Sequence, residues 1–311
     1  ILDSKYIIYS DYNENGNFCL HLKCMDPSTN LDNCLNKGTS AIFFYATLLP
    51  VRYYMEQLAG RADDYAIYAP SPFPVNNRLL MVASDVSTKY TRRNPYEYRK
   101  IATYIYNFIT SKTGNYMVFF PSYKMMDDLN PYINECLYEN GYSVNVNKEY
   151  TNNDNHKICI YPQSASMGEQ EREDFLSKFM DNPGYTTAGL CVMGGIFGEG
   201  IDLKGTRLIG AVIVGTGLPM VCTENELFLE YFEENKGSGF NYAYKYPGMN
   251  KVLQAAGRVI RTDKDKGAIL LLDERFLQKG YQELFPREWY PYNIVTRNYM
   301  GTCINNFWKD L

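Results

Sequence analysis

Short apolar runs of strand length alternate with longer amphipathic stretches along most of the chain, and this rhythm limits the possible folds most strongly. Strand-length runs stand at 79–83, 116–120, 158–161, 189–193, 208–214 and 268–272. Helical spacing marks 95–110, 125–140, 169–180 and 251–261; in the first of these Ile101, Ile105 and Phe108 share one face. Strands separated by helices in this order predict an α/β domain with a mainly parallel sheet. Residues 41–46 read as a further buried strand, and 6–9 and 18–25 as strands flanking an Asn-Glu-Asn-Gly turn. Residues 26–36 read as a short helix, and a second starts after Pro50 and stops at Gly60. Residues 221–248 break the rhythm and are expected to be an insertion carrying one acidic helix.

Length and composition narrow the class. The 311 residues, 45% hydrophobic and 21% charged, have enough apolar material for a large core and exclude a disordered, collagen-like or disulfide-stapled chain. A net charge of -4 does not advertise nucleic-acid binding. No run approaches the roughly 18 apolar residues of a membrane span, and the start lacks the basic-then-apolar order of a signal peptide. Beginning at Ile1, the chain reads as part of something longer. The eight cysteines contain no C-x-x-C pair and only His21 and His156 are present, so no metal site is expected. The cysteines read as reduced thiols of an intracellular, cytoplasmic protein, with packing favoured over metal binding even for Cys19, Cys24 and Cys34.

Four segments carry possible chemistry. With 251–262 on a helix at about 100° per residue, Gln254, Arg258 and Arg261 fall on one stripe. Val252, Leu253, Ala256, Val259 and Ile260 cover the other side. Such a cationic comb suits phosphate oxygens; a solvated face would explain the charges but not the small Ala255, Ala256 and Gly257. Residues 190–203, LCVMGGIFGEGIDL, join a strand to a glycine-rich loop, with Glu199 and Asp202 candidates for orienting an arginine or a ribose hydroxyl. The loop fits neither a Rossmann fingerprint nor a phosphate loop. At 116–123 a strand runs into Pro-Ser before a helix, so Ser122 is either a backbone-phosphate ligand or a plain N-cap. The fourth segment, 42–50, reads alone as strand and turn.

Together and in this order these segments resemble the C-terminal half of the DinG/XPD family of superfamily 2 DNA helicases. The family's Q-x-x-G-R-x-I-R stands here as Gln254-Ala-Ala-Gly257-Arg258-Val-Ile260-Arg261, followed by Asp265-Lys-Gly267 and Asp273-Glu-Arg275-Phe276. Its E-G-I-D matches Glu199-Gly200-Ile201-Asp202. Cys24-Met-Asp26-Pro-Ser28, Ala46-Thr47-Leu48-Leu-Pro50, Ser71-Pro-Phe73 and Phe119-Phe-Pro121-Ser122 resemble further family elements. Tyr45 departs from the pattern, standing where the family usually has a serine.

The resemblance implies a RecA-like three-layer lobe with helical insertions over 61–311. Residues 1–60 would form the end of the first helicase lobe and a hinge. It implies that Arg258 and Arg261 act as arginine fingers on ATP and that Gln254, Glu199, Gly200 and Asp202 line the nucleotide cleft. Ser122, Arg92 and Arg93 would touch the DNA backbone, and Thr47 would couple the two events. Partners would be ATP, single-stranded DNA tracked 5′ to 3′, and the N-terminal helicase lobe; no membrane is implied. No G-K-[ST] or D-E-A-H run is present, so the Mg²⁺ ligands, and any iron–sulfur cluster, would lie on an upstream lobe, and the chain alone would be inactive. The competing expectation is a non-catalytic nucleic-acid or protein interaction module on the same fold. A dinucleotide enzyme lacks its fingerprint.

Overall fold

The computed structural model describes residues 4–45, 47–61, 63–145, 149–198 and 201–309. Elements in chain order are β1 (Tyr6–Tyr12), β2 (Phe18–Cys24), α1 (Ser28–Leu35), α2 (Val51–Gln57), β3 (Arg78–Ala83), α3 (Pro95–Ile109), β4 (Asn115–Phe120), α4 (Tyr123–Glu139), β5 (Ser143–Val144), β6 (Glu149–Thr151), β7 (Lys157–Pro162), α5 (Glu169–Ser177), β8 (Thr186–Val192), β9 (Gly210–Val214), α6 (Thr223–Lys236), α7 (Tyr246–Ala256), β10 (Gly267–Leu272), α8 (Lys279–Gln282), β11 (Asn293–Val295) and α9 (Arg297–Lys309). They fall into two compact units: Ile1–Ala69 with Met220–Tyr246, and Pro70–Pro219 with Pro247–Leu311.

The second unit holds the sheet. Among the described residues it has nine strands in the order β11-β3-β10-β9-β4-β8-β7-β6-β5. Neighbours from β11 to β7 are parallel, while β6 and β5 close one edge antiparallel. Successive strand residues point to opposite faces. Leu79, Met81, Val118, Val212 and Leu270 therefore pack in one cluster with Ile101, Ile105 and Phe108 of α3, Leu129 and Ile133 of α4, and Met300 and Ile304 of α9. Leu80, Val82, Phe119, Ile213 and Leu271 are buried on the other face. On that face Gly189 leaves room for Phe175 and Phe179, whose ring atoms lie 2.9 and 2.8 Å from where a Cβ would stand. Helices cover both sides, giving the three-layer RecA-like arrangement.

The first unit is built on the β1–β2 antiparallel hairpin and an aromatic cluster. Tyr53 of α2 lies 5.1 and 5.0 Å from the rings of Tyr242 and Tyr246, and Tyr242 stacks on Phe232 of α6 at 4.4 Å. Glu56 accepts the Tyr242 hydroxyl at 2.6 Å. Burial pushes the Tyr53 phenol up to about 12.

The two compact units divide at 69/70, and 220–246 clusters with the first of them because its aromatics pack on α2. Two expectations differ from the structure. Of the strand expected at 41–46, residues 41–45 form none, and Ile42 and Phe44 are 86% and 88% exposed. An apolar run becomes a strand only where a neighbour supplies the ladder, and the hairpin does not extend to it; Ala46 lies outside the described residues. The helix expected to carry Arg258 and Arg261 ends at Ala256. Its last amides shift to i−3 carbonyls, with Arg258 N donating to Ala255 O and Val259 N to Ala256 O, so both arginines sit on the turn that follows.

Candidate functional site

The glycine-rich loop leaves β8 at the centre of the sheet, and α7 runs beside it. Gly217 (φ +67°) and Gly248 let the start of α7 approach the turn after β9, where a Cβ on Gly217 would meet the Gly248 carbonyl at 2.6 Å. One helical stretch further on, Lys251 side-chain carbons lie 3.1 Å from where a Gly194 Cβ would stand. Burial holds the Lys251 ammonium below the ordinary lysine range.

The two arginines then close the loop onto the turn. Arg258 donates from Nε and Nη2 to the Gly198 carbonyl at 3.2 and 2.6 Å, and from Nη1 to the Ile201 carbonyl at 2.9 Å. Arg261 Nη2 reaches the same Ile201 carbonyl at 3.0 Å. Both guanidiniums thus meet at one backbone oxygen, although they do not share a helix face. Arg261 Nε is buried with no hydrogen-bond partner among the described residues, an unsatisfied donor of a kind that folded proteins seldom retain. Gln254 stands half-buried on the last turn of α7.

Asp265 fixes the arrangement from behind. Its carboxylate, 4% exposed, accepts the amides of Arg261 at 2.7 Å and Thr262 at 2.8 Å, the Thr262 hydroxyl at 2.7 Å and the Gly205 amide at 3.2 Å. The sequence marks Asp265 as part of a motif without a role; its task emerges only when 205 and 261 are brought together. Asp202 is exposed and pairs with Lys204 at 2.9 Å. The hydrogen bond from Lys204 lowers its carboxyl, helped by the Lys204 charge and then by Arg261 and Arg207. Glu199 and Gly200 lie outside the described residues.

Ser122, Arg92 and Arg93 are engaged with other groups of the second unit. Ser122 Oγ accepts the Met125 amide at 3.2 Å and so caps α4 at the end of β4. Its neighbour Tyr123 is tied to the glycine loop through Gln163, which sequence reading passes over. Gln163 Nε2 donates to the Tyr123 hydroxyl at 2.7 Å and Gln163 Oε1 accepts the Val192 amide at 2.9 Å. Arg92 pairs with Glu97 at 3.0 Å and Glu274 at 3.3 Å. Arg93 donates to the Thr88 carbonyl at 3.3 Å and lies over the Tyr90 ring. Both are held by this unit's own groups. Thr47, in the first unit, has a buried hydroxyl with no partner among the described residues.

Comparison with known proteins gives this geometry a context. Residues 105–292 match the family described as "Helicase C-terminal domain". The chain is 26% identical over 291 residues to "Regulator of telomere elongation helicase 1 homolog" of Arabidopsis thaliana, covering 83% of this chain and 26% of that protein. It is 25% identical over 258 residues to "ATP-dependent DNA helicase XPD" of Sulfolobus acidocaldarius, covering 78% of this chain and 41% of that protein. A solved chain described as "XPD_APO" superposes with a TM-score of 0.65 at 21% identity, covering 94% of this chain and 55% of that one. The chain therefore spans less than half the length of these two curated relatives.

Proposed function

Since this chain belongs to the helicase C-terminal domain family, we propose that it is the second lobe of an ATP-dependent DNA helicase. In that role Arg258 and Arg261 present their guanidiniums to the phosphates of ATP held mainly by an upstream lobe. The observation that carries this reading is the meeting of Arg258 and Arg261 on the Ile201 carbonyl, with Arg261 Nε unsatisfied among the described residues. Carbonyl oxygens are weaker acceptors than phosphate oxygens, so a nucleotide phosphate can take over the forks and satisfy the orphaned donor. The exchange frees the Ile201 and Gly198 carbonyls, so the glycine loop registers whether nucleotide is bound.

Gln254 and Asp202, with Glu199 and Gly200, line the same nucleotide face in this reading. Thr47 couples nucleotide state to the track, and Ser122, Arg92 and Arg93 lie along single-stranded DNA followed 5′ to 3′. The chain has no G-K-[ST] run, so the phosphate cradle and Mg²⁺ ligands come from the upstream lobe, as would any iron–sulfur cluster. Transfer needs cradle, metal and finger together, so the isolated chain should not turn over ATP. An intracellular setting fits an enzyme of this kind, and among the described residues no helix is long and apolar enough to cross a membrane.

The test is DNA-stimulated ATP hydrolysis by the full-length protein carrying this chain. Arg258→Ala is expected to lower turnover by about 10³-fold or more, the scale of an arginine finger, while binding of a single-stranded oligonucleotide persists. Unchanged turnover in that variant sinks the finger assignment. Absence of ATPase activity in the unaltered protein favours the interaction-module reading.

A further inference from the structure

The hairpin of the first unit brings together three potential ligands. Asp11 and Cys19 face each other across β1 and β2, and His21 lies two residues along on the same face. Among the described residues these form the one trio of His, Cys and acidic side chains whose ligand atoms all lie within 4.8 Å of one another. His21 Nε2 is 2.8 Å from Asp11 Oδ1. The imidazole is held flat against the Tyr9 ring, 4.6 Å between centroids and 9° between planes. The turn is pinned as well: Asn13 Oδ1 accepts the amides of Asn15 and Asn17 at 3.1 and 2.9 Å, and Gly16 takes φ +78°.

The pleat keeps Cys24 out of this trio. Cys24 is five residues from Cys19 and so points to the opposite face, where its Sγ lies 4.0 Å from Asn30 of α1.

We propose that Asp11, Cys19 and His21 bind a zinc-like divalent cation, with thiolate, imidazole and carboxylate as three ligands and water as the fourth. Mixed sulfur, nitrogen and oxygen donors suit zinc and exclude magnesium and calcium, which take oxygen ligands. Ligand atoms around a tetrahedral zinc stand about 3.3–3.8 Å apart, given bonds of about 2.0–2.3 Å, so small side-chain rotations close the site. On binding, the Cys19 thiol releases its proton to solvent as the sulfur–metal bond forms. The cation replaces the His21–Asp11 hydrogen bond and draws both atoms onto itself.

Titration of the purified chain with Co²⁺, followed by Zn²⁺ competition, tests the site. One Co²⁺ per chain with a thiolate-to-cobalt charge-transfer band is expected. Cys19→Ser and Cys19→Ala should abolish the band while leaving far-ultraviolet circular dichroism unchanged. His21→Ala and Asp11→Ala should each weaken Zn²⁺ binding by at least about 10-fold, the lower end of what even an outer-shell partner is worth. Cys24→Ser should keep the band. A missing band in the unaltered chain, a band surviving in Cys19→Ser, or equal loss in Cys24→Ser overturns the proposal.

Discussion

Arg258 Nη2 donates to the carbonyl of Gly198 at 2.6 Å, joining residues sixty positions apart in the chain. The contact fastens the turn after α7 to the loop after β8. The loop and the arginine turn therefore move as one body unless a stronger acceptor draws the guanidinium away.

Asp265 should matter more to that body than any exposed acid near it. Its buried carboxylate satisfies Arg261, Thr262 and Gly205 at once, so Asp265→Ala leaves several donors without an acceptor. The expected loss is roughly 2–4 kcal/mol in urea unfolding, against about 0.5 kcal/mol for Asp202→Ala. Equal effects in the two variants would contradict the clamp.

Two left-handed glycines should respond differently to alanine. Among the described residues, Gly141 (φ +82°) has no atom beyond its chain neighbours within 4 Å of where a Cβ would stand, whereas Gly217 (φ +67°) has the Gly248 carbonyl at 2.6 Å. Gly141→Ala should cost about 1–2 kcal/mol for the backbone conformation alone. Gly217→Ala adds an overlap with backbone that cannot rotate away, and at least about 3 kcal/mol is expected. Thermal unfolding of the pair reads the difference; similar shifts would mean that the start of α7 can retreat from the turn.

Acid should destabilise the second unit partly through Asp273. Burial alone would raise its carboxyl, but the hydrogen bonds and charge of Arg275, with the Thr88 hydroxyl, outweigh that and hold it below the ordinary range. A depressed carboxyl stabilises the fold fully above its unfolded pKa, about 3.9, and loses that contribution as pH falls through the folded value. Stability measured from pH 7 to 2 should therefore drop below about pH 4. Asp273→Asn should begin less stable and fall less steeply; an identical slope would remove Asp273 as a cause.

Much of the second unit was legible in the sequence, because strand and helix periods are local properties. Leu79–Ala83, Tyr116–Phe120 and Ala268–Leu272 fall within strands, and Ser122 caps α4 as its place before the helix suggests. The arginine block was legible as chemistry but not as geometry. Helical periodicity extends it about one and a half turns too far, since a period cannot register that Gly257 weakens the helix and that two carbonyls draw the arginines onto a loop. Lys251, Gln163 and Asp265 carry no local signal of their tasks; each is defined by what lies against it.

The sequence by itself determined the α/β class and the likeness to a helicase lobe, because apolar period and motif order are written along the chain. Tertiary structure alone decided where 41–45 goes, which unit holds 220–246, and which donors share a hairpin face. It also decided that Arg258 and Arg261 meet at Ile201. Those outcomes depend on which distant surfaces and hydrogen-bond partners become available on folding, and a one-dimensional pattern does not encode them position by position.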